Sequence, residues 1–152
     1  MVGYTQESDP ETTARAIGRE LSISPKHAIV ICRHLKGWPL ERAKDFLVDV
    51  IAKKAAVPDT RYGNSGHRKG KVGPGRYPEK AAQQILKVLE GAEANAEYKG
   101  LVVDDMVIVH MAAHRGRAWE GRFPRARGRS TPKIHETVNV EVILREAGGL
   151  ED

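Results

Sequence analysis

Two valine-rich stretches, Leu101 to Met111 and Thr137 to Leu144, are separated by 25 residues that offer no alternating apolar face. In the second stretch Val138, Val140, Val142 and Leu144 alternate with Thr137, Asn139, Glu141 and Ile143, the period of a half-buried strand. The residues between carry seven basic groups, glycines at Gly116, Gly121 and Gly128, and prolines at Pro124 and Pro132. If the two stretches are the roots of one hairpin turning near Gly121, each arm is about 15 residues long, or roughly 50 Å at about 3.3 Å per residue. That exceeds the width of any core this chain can build. An isolated two-stranded ribbon is marginal in water, so the tip is expected to take its order from a partner.

Three amphipathic helices are available to cover the roots of these strands. Ser24 and Pro25 pair an N-cap with a first-turn proline, and Ala28, Ile31, Cys32 and Leu35 follow at helical spacing until Gly37. Pro39 opens a second helix striped by Leu40, Ala43, Leu47, Val50, Ile51 and, at its end, Ala55, before Val57 and Pro58 close it. A third begins at Pro78, with the stripe Ala81, Ile85, Val88, Leu89, Ala92 and Ala96. Its first turn holds Glu79 and its end holds Lys99 before Gly100, both suited to the helix dipole. Thr13 to Leu21 adds a third strand. The expected architecture is α+β: three helices packed on a small antiparallel three-stranded sheet with a long protruding basic β-hairpin. Residues 1–152 are read as a single domain, with the hairpin inside 106–143, its tip near 118–123, and a basic glycine-rich loop at 57–77.

Charge divides the chain along the same lines. Five basic residues and no acid fall between Arg61 and Arg76; seven and a single acid, Glu120, fall between Arg115 and Lys133. These segments hold 12 of the 25 Lys and Arg, so the remainder is net negative although the whole chain carries +5, with a pI near 9.4. A run of mixed sign is usually a solvated face. Two nearly single-sign segments on an acidic globule repel themselves unless an anion lies against them, and the expected partner is a polyanion. Six arginines against one lysine in the second segment fit folded RNA, because a guanidinium bridges two phosphate oxygens or stacks on a base. Trp119, Phe123, Tyr62 and Tyr77 lie in or beside the basic segments, where they can stack on unpaired bases.

The glycines at Gly63, Gly66, Gly70, Gly73 and Gly75 strip side chains from the first basic segment and let its backbone approach a phosphate. Arg68, Lys69, Lys71 and Arg76 supply the charge. A nucleotide-hydrolase phosphate loop is excluded: no apolar strand precedes the segment and no Lys-Ser or Lys-Thr pair closes it.

Other chemistry is thinly represented. One cysteine, Cys32, rules out an intramolecular disulfide framework and suits a reducing, cytoplasmic setting; its place on the first helix's apolar stripe marks it as a buried, inert thiol. No run approaches 18 apolar residues, so no membrane span is expected. The segment Met1 to Pro10 lacks the order of a signal peptide, and the glycines and acids of Gly148 to Asp152 suggest a frayed end. His110 and His114 have metal-ligand spacing for a helix, but on a strand they lie about 13 Å apart and cannot share an ion. Asp104 and Asp105 read as a turn or a strand entry. No catalytic centre, cofactor, metal or small-molecule substrate is expected.

Several phrases carry a family resemblance. Asn64-Ser65-Gly66-His67, Gly73-Pro74-Gly75-Arg76-Tyr77-Pro78-Glu79-Lys80-Ala81, the run His110 to Gly116, and Pro124-Arg125-Ala126-Arg127-Gly128-Arg129 together resemble the large-subunit ribosomal protein twenty-two family in its archaeal and eukaryotic branch. Thr12-Thr13-Ala14-Arg15-Ala16 and Ile23-Ser24-Pro25-Lys26 extend the likeness over roughly residues 9 to 146. The resemblance implies a structural constituent of the large ribosomal subunit, cytoplasmic with the ribosome, whose globular part sits on large-subunit ribosomal RNA near the polypeptide exit tunnel and whose hairpin lines the tunnel wall. It implies RNA contacts from Arg115, Arg117, Arg122, Arg125, Arg127, Arg129 and Lys133 on the hairpin, and from His67, Arg68, Lys69, Lys71, Arg76 and Tyr77 in the loop. It also implies that the tip, Ala118, Trp119, Glu120, Gly121, Arg122 and Phe123, approaches the lumen and the nascent polypeptide, and that neighbouring ribosomal proteins are partners. Asn139 stands where family members often carry a histidine facing RNA, and Trp119-Glu120 gives the tip bulk and a negative charge. The competing readings are a free-standing RNA-binding or chaperone protein, expected to bind many unrelated duplexes, and an RNA-processing enzyme, which would need a carboxylate or histidine centre.

Overall fold

The structure, a computed structural model, describes residues 3–147; the C-terminal stretch expected to fray, 148–152, lies outside the described residues. Along the chain come β1 (Thr13–Leu21), α1 (Pro25–Leu35), α2 (Leu40–Ile51), β2 (Val57–Pro58), β3 (His67–Arg68), β4 (Gly73–Arg76), α3 (Glu79–Tyr98), a single 3₁₀ turn (Val103–Asp105), β5 (Met106–Pro124) and β6 (Ser130–Glu146). The helices start and stop where local chemistry dictates. Ser24 is extended ahead of Pro25 at the head of α1, and α3 ends at Lys99 with Gly100 left-handed at φ +76°.

The main sheet has the order β1-β6-β5, all antiparallel. Its inner face is built from Val138, Val140, Val142 and Leu144 of β6, Met106, Ile108 and Met111 of β5, and Ala14 of β1. Against it lie Ile31 and Leu35 of α1, Leu47 and Val50 of α2, and Ile85 and Leu89 of α3, all fully buried. Each such large aliphatic side chain contributes about 1.5–3 kcal/mol on burial, which is what holds the three helices to one surface. The turn between α1 and α2 closes the outer edge of β5: Gly37 N–H donates to Ile108 O at 2.8 Å and Ile108 N–H to Trp38 O at 3.0 Å.

The second face of β6 is also buried, although three of its residues are polar. Thr137, Asn139 and Glu141 are all buried, and each has a partner. Thr137 Oγ1 donates to Arg117 O at 2.7 Å, Glu20 N–H donates to Asn139 Oδ1 at 2.8 Å, and Thr5 N–H donates to Glu141 Oε2 at 3.0 Å. The segment ahead of β1 thus folds back over this face, with Tyr4 stacked under Arg15 at 5.2 Å. Thr137, Asn139 and Glu141 are tolerated here because each of the three is hydrogen-bonded.

Five expectations need correction. The strand after α3 begins at Met106, since residues 103–105 form the 3₁₀ turn, and α2 ends at Ile51, short of Ala55. The hairpin does not turn near Gly121, and 118–123 is not its tip. Gly121 is extended and pairs with Lys133, the ladder runs on to Pro124↔Ser130, and the reversal occupies residues 125–129. There Arg125 N–H donates to Arg129 O at 2.8 Å, with Arg127 and Gly128 both left-handed at φ +57° and +72°. The ribbon also finds its pairing within the chain, through cross-strand pairs such as Trp119↔His135 and Phe123↔Thr131. Finally, the basic loop 57–77 contains a small sheet of its own, order β2-β4-β3.

Candidate nucleic-acid interface

From Ala118 to Glu136 every residue is exposed. About nine residues of each arm therefore stand clear of the globule, roughly 30 Å at about 3.3 Å per residue. A break in register between Arg115 and Ala118 sets the direction in which the ribbon leaves. Along the shaft, Arg117 lies over the Trp119 ring at 4.4 Å and Arg125 over Phe123 at 5.3 Å. Both rings are about half exposed, at 51% and 49%. Arg122 reaches Ser130 Oγ and Arg125 reaches Thr131 Oγ1, each at 3.3 Å and each in solvent. The cations are held along the ribbon by weak contacts only, and among the described residues just one meets an acid: Arg115 lies 3.6 Å from Glu136, an exposed pair of little worth. Three arginines, Arg125, Arg127 and Arg129, crowd the turn itself.

The glycine-rich segment presents its residues in two ways. Arg68 Nε donates to Gly75 O at 3.0 Å while its guanidinium covers the half-buried Tyr77 ring at 5.1 Å. Arg76 lies 3.3 Å from Asp59, whose same oxygen accepts from Ser65 Oγ at 2.7 Å. Gly75 permits this close strand pairing, because a Cβ there would meet Ala56 Cβ and Arg68 Cγ at 3.1 Å. Arg68, Arg76 and Tyr77 therefore build the scaffold, whereas His67, Lys69 and Lys71 are exposed around the Gly70 turn.

Beside that turn is a concavity of about 740 Å³ that includes His34, Phe46, Lys53 and Lys54 with His67, Arg68, Lys69, Lys71 and Tyr77, and no acid among its lining residues. Lys53 and Lys54 were not among the residues singled out from sequence. A stripe reaching Ala55 would place them inside α2, but the helix stops at Ile51 and Lys53 is left-handed at φ +60°, which turns the pair toward the loop. Two successive lysines were the only available signal. Lys53 also contacts Glu79 at 3.0 Å. His34 is half-buried against Trp38 and Phe46, and burial with the nearby Arg42 charge lowers its pKa.

One further expectation changes at the ribbon's root. Asn139, where the family resemblance raised a departure, is buried and its Oδ1 accepts from Glu20 N–H. His110 and His114, expected to lie about 13 Å apart and so unable to share an ion, converge on one carboxylate oxygen, Glu141 Oε1, at 2.8 and 3.2 Å. A bulge between Ile108 and His110 and the placement of Glu141 opposite Ala112 bring both rings inward. Among the described residues no cluster of His, Cys, Asp or Glu has the arrangement to hold a metal ion. Cys32 is buried, and burial pushes its thiol up to about 12.

The chain is similar to the large ribosomal subunit protein uL22 of Methanococcoides burtonii, with 50% identity over 95% of this chain and 97% of that protein. The protein of the same name from Methanopyrus kandleri is 53% identical over 93% of this chain and 91% of its own, and that from Methanothrix thermoacetophila 54% over 88% and 90%. A family model described as ribosomal protein L22p/L17e matches residues 16–145. With nearly the whole chain covered at about half identity, from β1 through the ribbon to β6, the chain belongs to the ribosomal protein L22p/L17e family.

Proposed function

We propose that this chain is a structural constituent of the large ribosomal subunit that binds large-subunit ribosomal RNA, with its globular part near the polypeptide exit tunnel and its ribbon along the tunnel wall. The family is one of ribosomal structural proteins, not of enzymes, and the setting is the cytoplasmic ribosome. The observation that carries the reading is the ribbon, an exposed two-stranded arm whose basic residues Arg117, Arg122, Arg125, Arg127, Arg129 and Lys133 have no acidic partner among the described residues. An arm of that kind gains nothing from the core and is suited to threading among phosphates. Arg115 at its base, and His67, Lys69 and Lys71 with the scaffold residues Arg68, Arg76 and Tyr77, supply the remaining contacts. The shaft residues Ala118, Trp119, Glu120, Gly121, Arg122 and Phe123 approach the tunnel lumen and the nascent polypeptide, while the arginine-rich turn reaches RNA beyond them. Neighbouring ribosomal proteins meet the acidic parts of the globule.

Sedimentation of a cell lysate through sucrose gradients at low and high salt, following the protein by mass spectrometry, tests this. Stoichiometric comigration with the large subunit through moderate salt is expected. A dominant peak in the light fractions would overturn the reading in favour of a free-standing RNA-binding protein.

A further inference from the structure

A cavity of about 450 Å³ lies between the first half of α1, the segment from β2 to Asn64, and the root of the ribbon at Arg115. Its volume is in the range of about 300–1,000 Å³ in which proteins hold small organic groups. Its floor is apolar, formed by Val30 of α1 with Val57, Pro58 and Pro78. Its rim is cationic, with Lys26, Arg33, Arg61, Arg76 and Arg115. One acid, Asp59, lines it, and one of that carboxylate's oxygens is already taken by Arg76 and Ser65.

We infer that this cavity receives a single unpaired nucleotide of bound RNA, the base on the apolar floor and the flanking phosphates on the arginine and lysine rim. The inference rests on the RNA-binding reading above and adds a site to it. Charge complementarity selects the ligand: an apolar floor under five cations suits a group with a flat neutral face and anionic edges. A duplex offers phosphates but keeps its bases stacked, so the ligand is single-stranded or has a base extruded. Position makes the same point. Arg76 ends the glycine-rich segment and Arg115 begins the ribbon, so an RNA strand that follows both basic segments passes over this cavity.

Two side chains there have properties suited to reading a base. Tyr62 is 78% exposed, carries Arg61 5.1 Å from its ring centre, and is held in a left-handed backbone at φ +69°. A bulky residue seldom adopts that conformation, and such strain tends to collect at functional positions. His27 is half-buried, and burial together with the neighbouring Arg76 charge lowers its pKa, so it offers a neutral imidazole able both to donate and to accept.

The test is photocrosslinking of the full chain to a decauridylate carrying one central 4-thiouridine, with modified residues mapped by mass spectrometry. Adducts at His27 or Tyr62 are expected beside adducts on the ribbon. Val30→Trp fills the floor and should cut the His27 and Tyr62 adducts at least about tenfold, the loss of one stacked base, while ribbon adducts persist. Should Val30→Trp fail to fold by circular dichroism, Tyr62→Ala, altered only at an exposed ring, should cut the His27 adduct by a similar factor. Adducts confined to the ribbon and residues 67–71, or a His27 adduct unchanged in the variants, would overturn the cavity's role and leave the RNA-binding reading standing. Absence of both binding and adducts would overturn the RNA-binding reading and this site with it.

Discussion

His110 Nε2 stands 2.8 Å from Glu141 Oε1, so a histidine of β5 and a carboxylate of β6 are joined on the sheet face opposite the helices. His114 reaches the same oxygen from the other side of Ala112, and Thr5 donates to both carboxylate oxygens through its backbone and hydroxyl. An ionised carboxylate only accepts, so each imidazole donates from Nε2. Glu141 is the joint at which the N-terminal segment, the middle strand and the ribbon's root are held together.

That joint makes stability acid-sensitive. Burial alone would raise the Glu141 pKa, but the hydrogen bonds from Thr5, His110 and His114 outweigh it and hold the carboxyl at about 2. An unfolded glutamate titrates near 4.3, so its contribution is complete above about pH 5 and is lost as pH falls toward 2. Denaturant unfolding of wild type and Glu141→Gln should show a gap on the order of 2–3 kcal/mol near neutral pH that closes between pH 5 and pH 2. His27 and His34 have lowered values, so their contribution is present above about pH 6.5 and begins to be lost below it; the substitution leaves that part of the profile in place. A gap independent of pH would sink the assignment.

The ribbon should be separable from the globule. Replacing residues 118–136 with Asn-Gly removes only exposed residues and lets Arg117 lead directly back to Thr137. The melting temperature should move by no more than about 2–3 °C, since no buried apolar group is lost, while affinity for large-subunit RNA falls steeply. Loss of the cooperative transition would mean that the arms contribute to the core.

The helices and the inner face were legible because each is written in a local period. The stripe Ala81, Ile85, Val88, Leu89, Ala92 and Ala96 is fully buried or nearly so, and so is the alternation from Val138 to Leu144. The turn was not legible, because it depends on Arg127 accepting a left-handed backbone next to Gly128, while Gly121, the more obvious candidate, lies in the ladder. Asn139 and Glu141 of β6 read as solvent-facing because Glu20 and Thr5, which bond them, lie more than 100 residues away. The sheet built from β2, β3 and β4 escaped for a related reason: strands of two to four residues rich in Gly and Arg carry no apolar period.

Gly116 is where the ribbon's direction is most exposed to mutation. A Cβ at this position would sit 2.6 Å from Thr137 Oγ1 and 3.3 Å from Asn139 Oδ1, and Thr137 is anchored by its bond to Arg117 O. Gly116→Ala should therefore cost about 1–3 kcal/mol in thermal or denaturant unfolding. Adding Thr137→Ala removes the clashing hydroxyl, so the double variant should be more stable than the sum of the single effects predicts. Strict additivity would show that the strain lies elsewhere.

The last prediction concerns Lys54 and Lys71, which approach one concavity from α2's end and from the glycine-rich turn. Both are exposed, and if both meet phosphates each should carry its own share of the salt dependence of RNA binding. For a single-stranded probe, replacing either with alanine should reduce the log-log salt slope by about 0.7, and replacing both by about 1.4. Arg68→Ala should behave differently. Its guanidinium bonds Gly75 O and covers Tyr77, so its loss should lower the unfolding midpoint as well as the affinity. A Lys54 variant with an unchanged slope would remove α2's end from the interface and confine that contact to the turn around Gly70.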